Sequence, residues 1–194
     1  MGFNMEKDRN LILEESYSEI QNQLSNLRYE INNSESLSCD EIIRNNSEIG
    51  NKIYEQAFLF SKYEQAAIIT KSQLIKDHKH FDELRTLFWI SSIAIKKRCG
   101  EDSLRTIVYL YDYPAESFTE RAKQSVMSAI ALELKESNED ASVLIPIAKN
   151  LEVEALSSLI KNYAINDSTV LIINEKEVMD MTEAISKSVG YVDG

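Results

Sequence analysis

The sequence predicts an α+β chain in two parts: an antiparallel three-helix bundle, then an α/β domain of order β-α-β-α-β-β-α. Three observations predict it. Glycine and proline are scarce, 5 and 2 of 194 residues, where average usage would give roughly 12% for the pair. A chain so poor in them turns few tight corners, which argues against a β-sandwich or β-barrel. A heptad-spaced apolar seam occupies the opening segment, and after Gly100 the apolar residues shift from helical spacing to short β-branched runs. The 43% hydrophobic and 27% charged content is that of a folded chain, not a disordered one.

The first helix is predicted over residues 9–31. Leu13, Tyr17, Ile20, Leu24, Leu27 and Ile31 are spaced 4, 3, 4, 3, 4, a sustained a/d pattern with mostly polar residues between. The stretch Asn32-Asn33-Ser34-Glu35-Ser36-Leu37-Ser38 breaks it. Ser38 with Glu41 forms a capping box that opens a second helix, from about Cys39 to Ile68. Its stripe holds Ile42, Asn46, Ile49, Ile53, Ala57 and Phe60. Asn46 reads either as a stripe-edge residue or as a polar position that fixes helix register. Thr70 and Gln73 make a second box, opening a third helix from about Lys71 to Arg98 with Leu74, Phe81, Leu84, Phe88 and Ile95 inward. Basic residues Lys96, Lys97 and Arg98 suit the carbonyl end of its dipole, and Gly100 suits a left-handed cap.

The second and third helices have similar lengths, roughly 40–45 Å at 1.5 Å per residue, and a short connection favours antiparallel neighbours. Cys39 opens one and Cys99 closes the other, so both fall at the same end of the bundle. A Cys39–Cys99 disulfide is within reach if the Cα atoms approach to roughly 7 Å; the alternative is two free thiols. A bridge would contribute on the order of 4 kcal/mol in the chain-entropy model and imply an oxidising compartment.

The helical domain is assigned to residues 1–103 and the α/β domain to 104–194. Thr106–Tyr111 is a buried strand, and Ser117 with Glu120 caps a helix to about Lys135. Ser142–Ile147 is a second strand, with Pro146 marking an edge or an end. Glu152–Tyr163 is a helix, Thr169–Ile173 a third strand, and a short fourth strand lies around Val178. Asp180 with Glu183 caps a last helix from Met181 to about Val189.

That order resembles the thioredoxin fold over roughly residues 104–190. The likeness extends to local wording: Leu159-Ile160-Lys161-Asn162-Tyr163-Ala164-Ile165 before a strand, then Val170-Leu171-Ile172-Ile173-Asn174-Glu175-Lys176 as a hairpin. The resemblance implies C-x-x-C between the first strand and its helix, where a low-pKa thiolate attacks a disulfide. The matching stretch reads Tyr113-Pro114-Ala115-Glu116-Ser117-Phe118, with Ala115 and Phe118 in the two cysteine slots. Neither side chain forms a thiolate. The family's cis-proline slot before the third strand falls on Ser168, where a trans bond is expected.

The net charge is −11, with −4 in residues 1–104 and −7 in 105–194. Phosphate-driven binding to nucleic acid and attraction to an anionic membrane surface therefore lack their basis. No apolar run is long enough to span a bilayer. Met5 followed by a polar helix is compatible with residues 1–4 being an added segment, which would leave room for a removed upstream signal or anchor. No metal site is expected. His78 and His80 are i, i+2 neighbours that do not face one way on a helix, and read as solvated or stripe-edge residues. The acid pairs Glu152/Glu154 and Glu175/Glu177 read as solvated faces.

The expectation is a non-catalytic thioredoxin-like protein, an interaction or structural module that needs no cofactor. Its partner would be a protein or peptide, bound through a groove or sheet edge, or a second copy paired through the first helix. The alternative is a thiol–disulfide redox protein using Cys39 and Cys99. A disulfide there would place the chain outside the cytoplasm or on a membrane tether; without one it would be cytoplasmic.

Overall fold

The computed structural model describes residues 2–33, 37–65, 70–137, 141–163, 165 and 169–192. The chain divides into two compact units, Met1–Cys99 and Gly100–Gly194. It is α+β, with helices in the first half and a four-stranded mixed sheet with helices in the second.

The first unit holds α1 (Gly2–Asn33), α2 (Cys39–Gln65) and α3 (Lys71–Cys99). Helix α1 begins earlier than its seam predicts, because nothing between Gly2 and Asn10 breaks a helix once the downstream turns are packed. The residues between Gln65 and Thr70, where the predicted second helix ended, lie outside the described residues. Ile20, Leu24, Leu27 and Ile31 of the seam are buried, as are Ile42, Ile49, Ile53 and Phe60 of α2 and Phe81, Leu84, Phe88 and Ile95 of α3. Each helix packs on the other two, so the α1 seam is spent within one chain.

Two close contacts set the α2–α3 spacing. A Cβ on Gly50 would stand 2.9 Å from Phe88 Cζ, so only glycine lets the ring approach this backbone. Asn46 is fully buried, and its Nδ2 faces Ser92 Oγ at 3.5 Å. The stripe-edge reading of Asn46 is corrected: it is a core polar residue on the α2–α3 seam.

The capping boxes differ in completeness. Ser38 and Glu41 satisfy each other's backbone N–H groups at 2.8 and 3.3 Å. Thr70 Oγ1 accepts from Gln73 N at 3.2 Å, but the Gln73 amide turns away to donate to Asp77 Oδ1 at 2.7 Å. This second box is therefore half formed.

The second unit holds β1 (Arg105–Tyr111), α4 (Phe118–Glu136), β2 (Ser142–Ala148), α5 (Glu154–Ile160), β3 (Val170–Ile173), β4 (Glu177–Met179) and α6 (Met181–Val192). The sheet order is β2-β1-β3-β4. Strand β1 runs parallel to β2 and antiparallel to β3, and β4 is antiparallel to β3. Ile107 and Tyr109 of β1 and Leu171 and Ile173 of β3 pack on Met127, Ile130, Ala131 and Leu134 of α4 and Ala184 of α6. The opposite face, with Val108, Leu110, Ile145, Ile147, Val170 and Ile172, is also buried. A sheet buried on both faces explains why these strands read as continuous apolar runs.

Helix α5 is shorter than the predicted Glu152–Tyr163. Glu152 takes a left-handed φ of 54°, so the helix starts after Val153. Between β3 and β4, Asn174 and Glu175 are both left-handed, at φ 51° and 57°, and Lys176 N donates to Ile173 O at 3.1 Å. Asn174 Oδ1 accepts from Thr106 N at 3.0 Å, and Thr106 Oγ1 donates to Glu175 Oε1 at 2.6 Å. Glu175 is thus half-buried and bonded to the start of β1, a correction to its reading as part of a solvated face.

Candidate functional site

The loop from β1 to α4 occupies the place where the sequence reading put the degenerate cysteine slots. Its entry is held by side chains from across the sheet. Asn150 clamps Tyr113 on both sides: Tyr113 N donates to Asn150 Oδ1 at 2.8 Å, and Asn150 Nδ2 donates to Tyr113 O at 2.9 Å. Lys149 Nζ pairs with Asp112 Oδ1 at 2.8 Å, and Gln124 Nε2 donates to Asp112 O at 2.8 Å. Tyr109 OH donates to Gln124 O at 3.0 Å, and burial raises its phenol pKa, with Tyr111 adding to the shift. The Tyr113–Pro114 peptide is cis.

The α4 N-terminus follows. Ser117 is the N-cap in extended backbone; its Oγ accepts from Glu120 N at 3.1 Å, while Glu120 Oε2 accepts from Glu116 N at 2.9 Å and Ser117 N at 3.3 Å. A complete capping box thus satisfies the N–H groups of Glu116, Ser117 and Glu120 at this helix end. Ala115 lies two residues ahead of the cap and is half-buried; Phe118 is the first helical residue and 78% exposed. Ser168 lies outside the described residues. The loop therefore presents an apolar tip, no thiol, and no histidine. Ser117 is committed to capping, and Asp112 to Lys149.

Both cysteines lie instead in the helical unit. Cys39 and Cys99 form a disulfide with Cα atoms 5.6 Å apart, and both residues are half-buried. No free cysteine remains. Beside it, Arg98 Nη1 donates to Glu30 O at 2.7 Å and Ile31 O at 2.8 Å, and Nη2 to Leu37 O at 3.2 Å.

The histidines separate. His80 is exposed and meets the Tyr17 ring at 5.3 Å. His78 is buried against Phe60, edge to face at 4.8 Å, which corrects its reading as a solvated or stripe-edge residue. Burial, and then the charge of Arg85, lowers its pKa to about 3. Arg85 itself is buried in an ion pair with Asp82 at 2.9 Å. Between α1 and α3 lies a cavity of about 270 Å³ floored by Leu13 and Phe81, with Glu14, Lys76 and Asp77 at its mouth. That is just under the usual size of a small-molecule site. Among the described residues no three His, Cys, Asp or Glu side chains converge as metal ligands.

Sequence reasoning missed Asn150, Arg98 and the Asp82–Arg85 pair. Asn150 acts on a residue 37 positions away and Arg98 on residues more than 60 away, and no local pattern reports such pairs. The sheet edges bear on where a peptide could add. One edge is β2, whose fifth residue is Pro146 and which so lacks one backbone donor; the other is β4, three residues long. Both features blunt strand addition.

Comparison of the chain with known protein families, with curated proteins and with solved structures found no match.

Proposed function

We propose that the chain is a non-catalytic thioredoxin-like protein, acting through protein contact or as a structural module. The observation that carries this reading is the α4 N-terminus. On a sheet of order β2-β1-β3-β4, with β1 parallel to β2, the first strand leads to a capped helix whose entrance holds Ala115 and an exposed Phe118. That strand order and the placement of α4 and α6 on one face support a thioredoxin-like arrangement. The thiol chemistry of such a scaffold depends on that entrance, and no sulfur stands there. The exposed Phe118 favours an apolar contact on a partner protein over strand addition at either edge.

The half-buried disulfide keeps the redox alternative in view. Against it, Cys99 sits at the negative end of the α3 dipole, and Asp40 and Glu41 flank Cys39. Both features oppose a stable thiolate. The disulfide is compatible with an extracytoplasmic location. Among the described residues no helix is long and apolar enough to cross a membrane. Dithiol-dependent insulin reduction tests the proposal. The expected rate equals that of buffer with dithiol alone; turnover above it supports the redox alternative.

A further inference from the structure

Helix α1 ends without its own C-terminal cation: its last turn carries no basic residue, and no glycine closes it. Four carbonyls at such an end need partners from elsewhere. Just before them, Asn32 Nδ2 and Asn33 Nδ2 add side-chain bonds to Arg28 O at 2.8 Å and Tyr29 O at 3.2 Å, carbonyls already inside the helix. Two of the four terminal carbonyls, of Glu30 and Ile31, are taken by Arg98 from α3, which also reaches Leu37 O ahead of α2. A guanidinium here also sits at the negative end of the α1 dipole.

Arg98 occupies the last turn of α3, and Gly100 follows at φ 110°. A helix terminus of this kind frays unless tied down. The tie is the next residue, Cys99, bonded to the first residue of α2. One dipeptide thus joins the ends of all three helices, covalently to α2 and by charge-assisted hydrogen bonds to α1.

We propose that the Cys39–Cys99 disulfide is a redox-operated latch on the α1–α2 junction, with Arg98 as the positioning residue that it holds in place. The co-reactant is a dithiol. Its thiolate attacks one sulfur of the half-buried bridge and forms a mixed disulfide. In that attack the other protein sulfur leaves as a thiolate; the dithiol's second thiol then attacks the dithiol's own sulfur in the mixed disulfide and displaces the first protein sulfur. The dithiol leaves as a cyclic disulfide, and the two electrons and two protons it gives up leave Cys39 and Cys99 as thiols. With the bridge open, the end of α3 frays, Arg98 withdraws, and the last turn of α1 and first turn of α2 lose their shared anchor. The apolar interior further along the bundle, around Ile20, Leu24 and Trp89, keeps its packing.

The test is hydrogen exchange of the full chain, oxidised and after reduction with dithiothreitol, with Trp89 fluorescence followed in parallel. Reduction is expected to accelerate exchange in the last turn of α1 and the first turn of α2 by about tenfold or more, while emission from buried Trp89 stays native. Arg98→Gln, with its disulfide intact, should show the same acceleration. Arg98→Lys should show less, since an ammonium can serve one carbonyl but not the forked set. Cys39→Ser/Cys99→Ser should match the reduced protein, and if that variant fails to fold the dithiothreitol arm stands alone. The proposal is overturned by unchanged exchange at the junction on reduction. It is equally overturned by native exchange there in Arg98→Gln, or by loss of the native Trp89 emission on reduction, which would make the bridge a staple for the whole unit.

Discussion

His78 shows how a buried residue becomes a pH liability. Its ring packs on Phe60, and burial, then Arg85, hold its pKa at about 3, against 6.5 in an unfolded chain. Between those values the unfolded state binds the extra proton. The native state is therefore favoured above pH 6.5 and loses stability as the pH falls toward 3, by up to about 1.4 kcal/mol per pH unit. Urea midpoints at pH 7, 5 and 4 should fall more steeply for the native chain than for His78→Gln; parallel slopes would contradict the burial. Gly50 offers a second test at this scale. Alanine is the better helix former by about 1 kcal/mol, yet its Cβ would meet the Phe88 ring at 2.9 Å. Overpacking of this kind costs about 1–3 kcal/mol, so Gly50→Ala should lower the melting temperature; a rise would mean that α2 and α3 can part without loss. Neither feature could be read in advance. A histidine or glycine inside a helical pattern looks the same whether it faces solvent or an aromatic ring on another helix.

At the scale of elements, the local signals were informative where the chemistry is local. Three of the four capping boxes close fully, at Ser38–Glu41, Ser117–Glu120 and Asp180–Glu183, because each joins side chain and backbone within one turn. The Thr70–Gln73 box closes only half, since Asp77 one turn on competes for the amide. Boundaries drifted where backbone conformation intervened. The left-handed Glu152 shortens α5, and no sequence rule places a glutamate in that region of φ. Ser117→Ala removes the cap that organises the α4 entrance and should cost about 1 kcal/mol, measured by urea titration; an unchanged midpoint would show that the box contributes nothing to the fold.

For the whole molecule, the scarcity of glycine and proline matches the long helices of the first unit, and two long helices with a short connection place Cys39 and Cys99 at one end of the bundle, where they are bonded. That pairing was legible because helix length and connection length fix where helix ends meet. The candidate site was legible only as a gap: the alignment of Ala115 and Phe118 could be read, but not the Asn150 clamp that holds the loop. The disulfide joins residues 60 apart in sequence, so reduction should lower the stability of the helical unit by about 4 kcal/mol in the chain-entropy model. Trp89 fluorescence in urea, with and without reductant, measures this, and coincident curves would contradict it.

The central proposal is that the second unit is a thioredoxin-like scaffold without thiols in its two cysteine slots, Ala115 and Phe118. Dithiol-dependent insulin reduction by the native chain and by Ala115→Cys/Phe118→Cys, run side by side, tests it most directly. The account predicts background turnover for the native chain and turnover well above background for the double variant, whose new thiols would stand at the α4 N-terminus. Turnover by the native chain, or none by the variant, would contradict it.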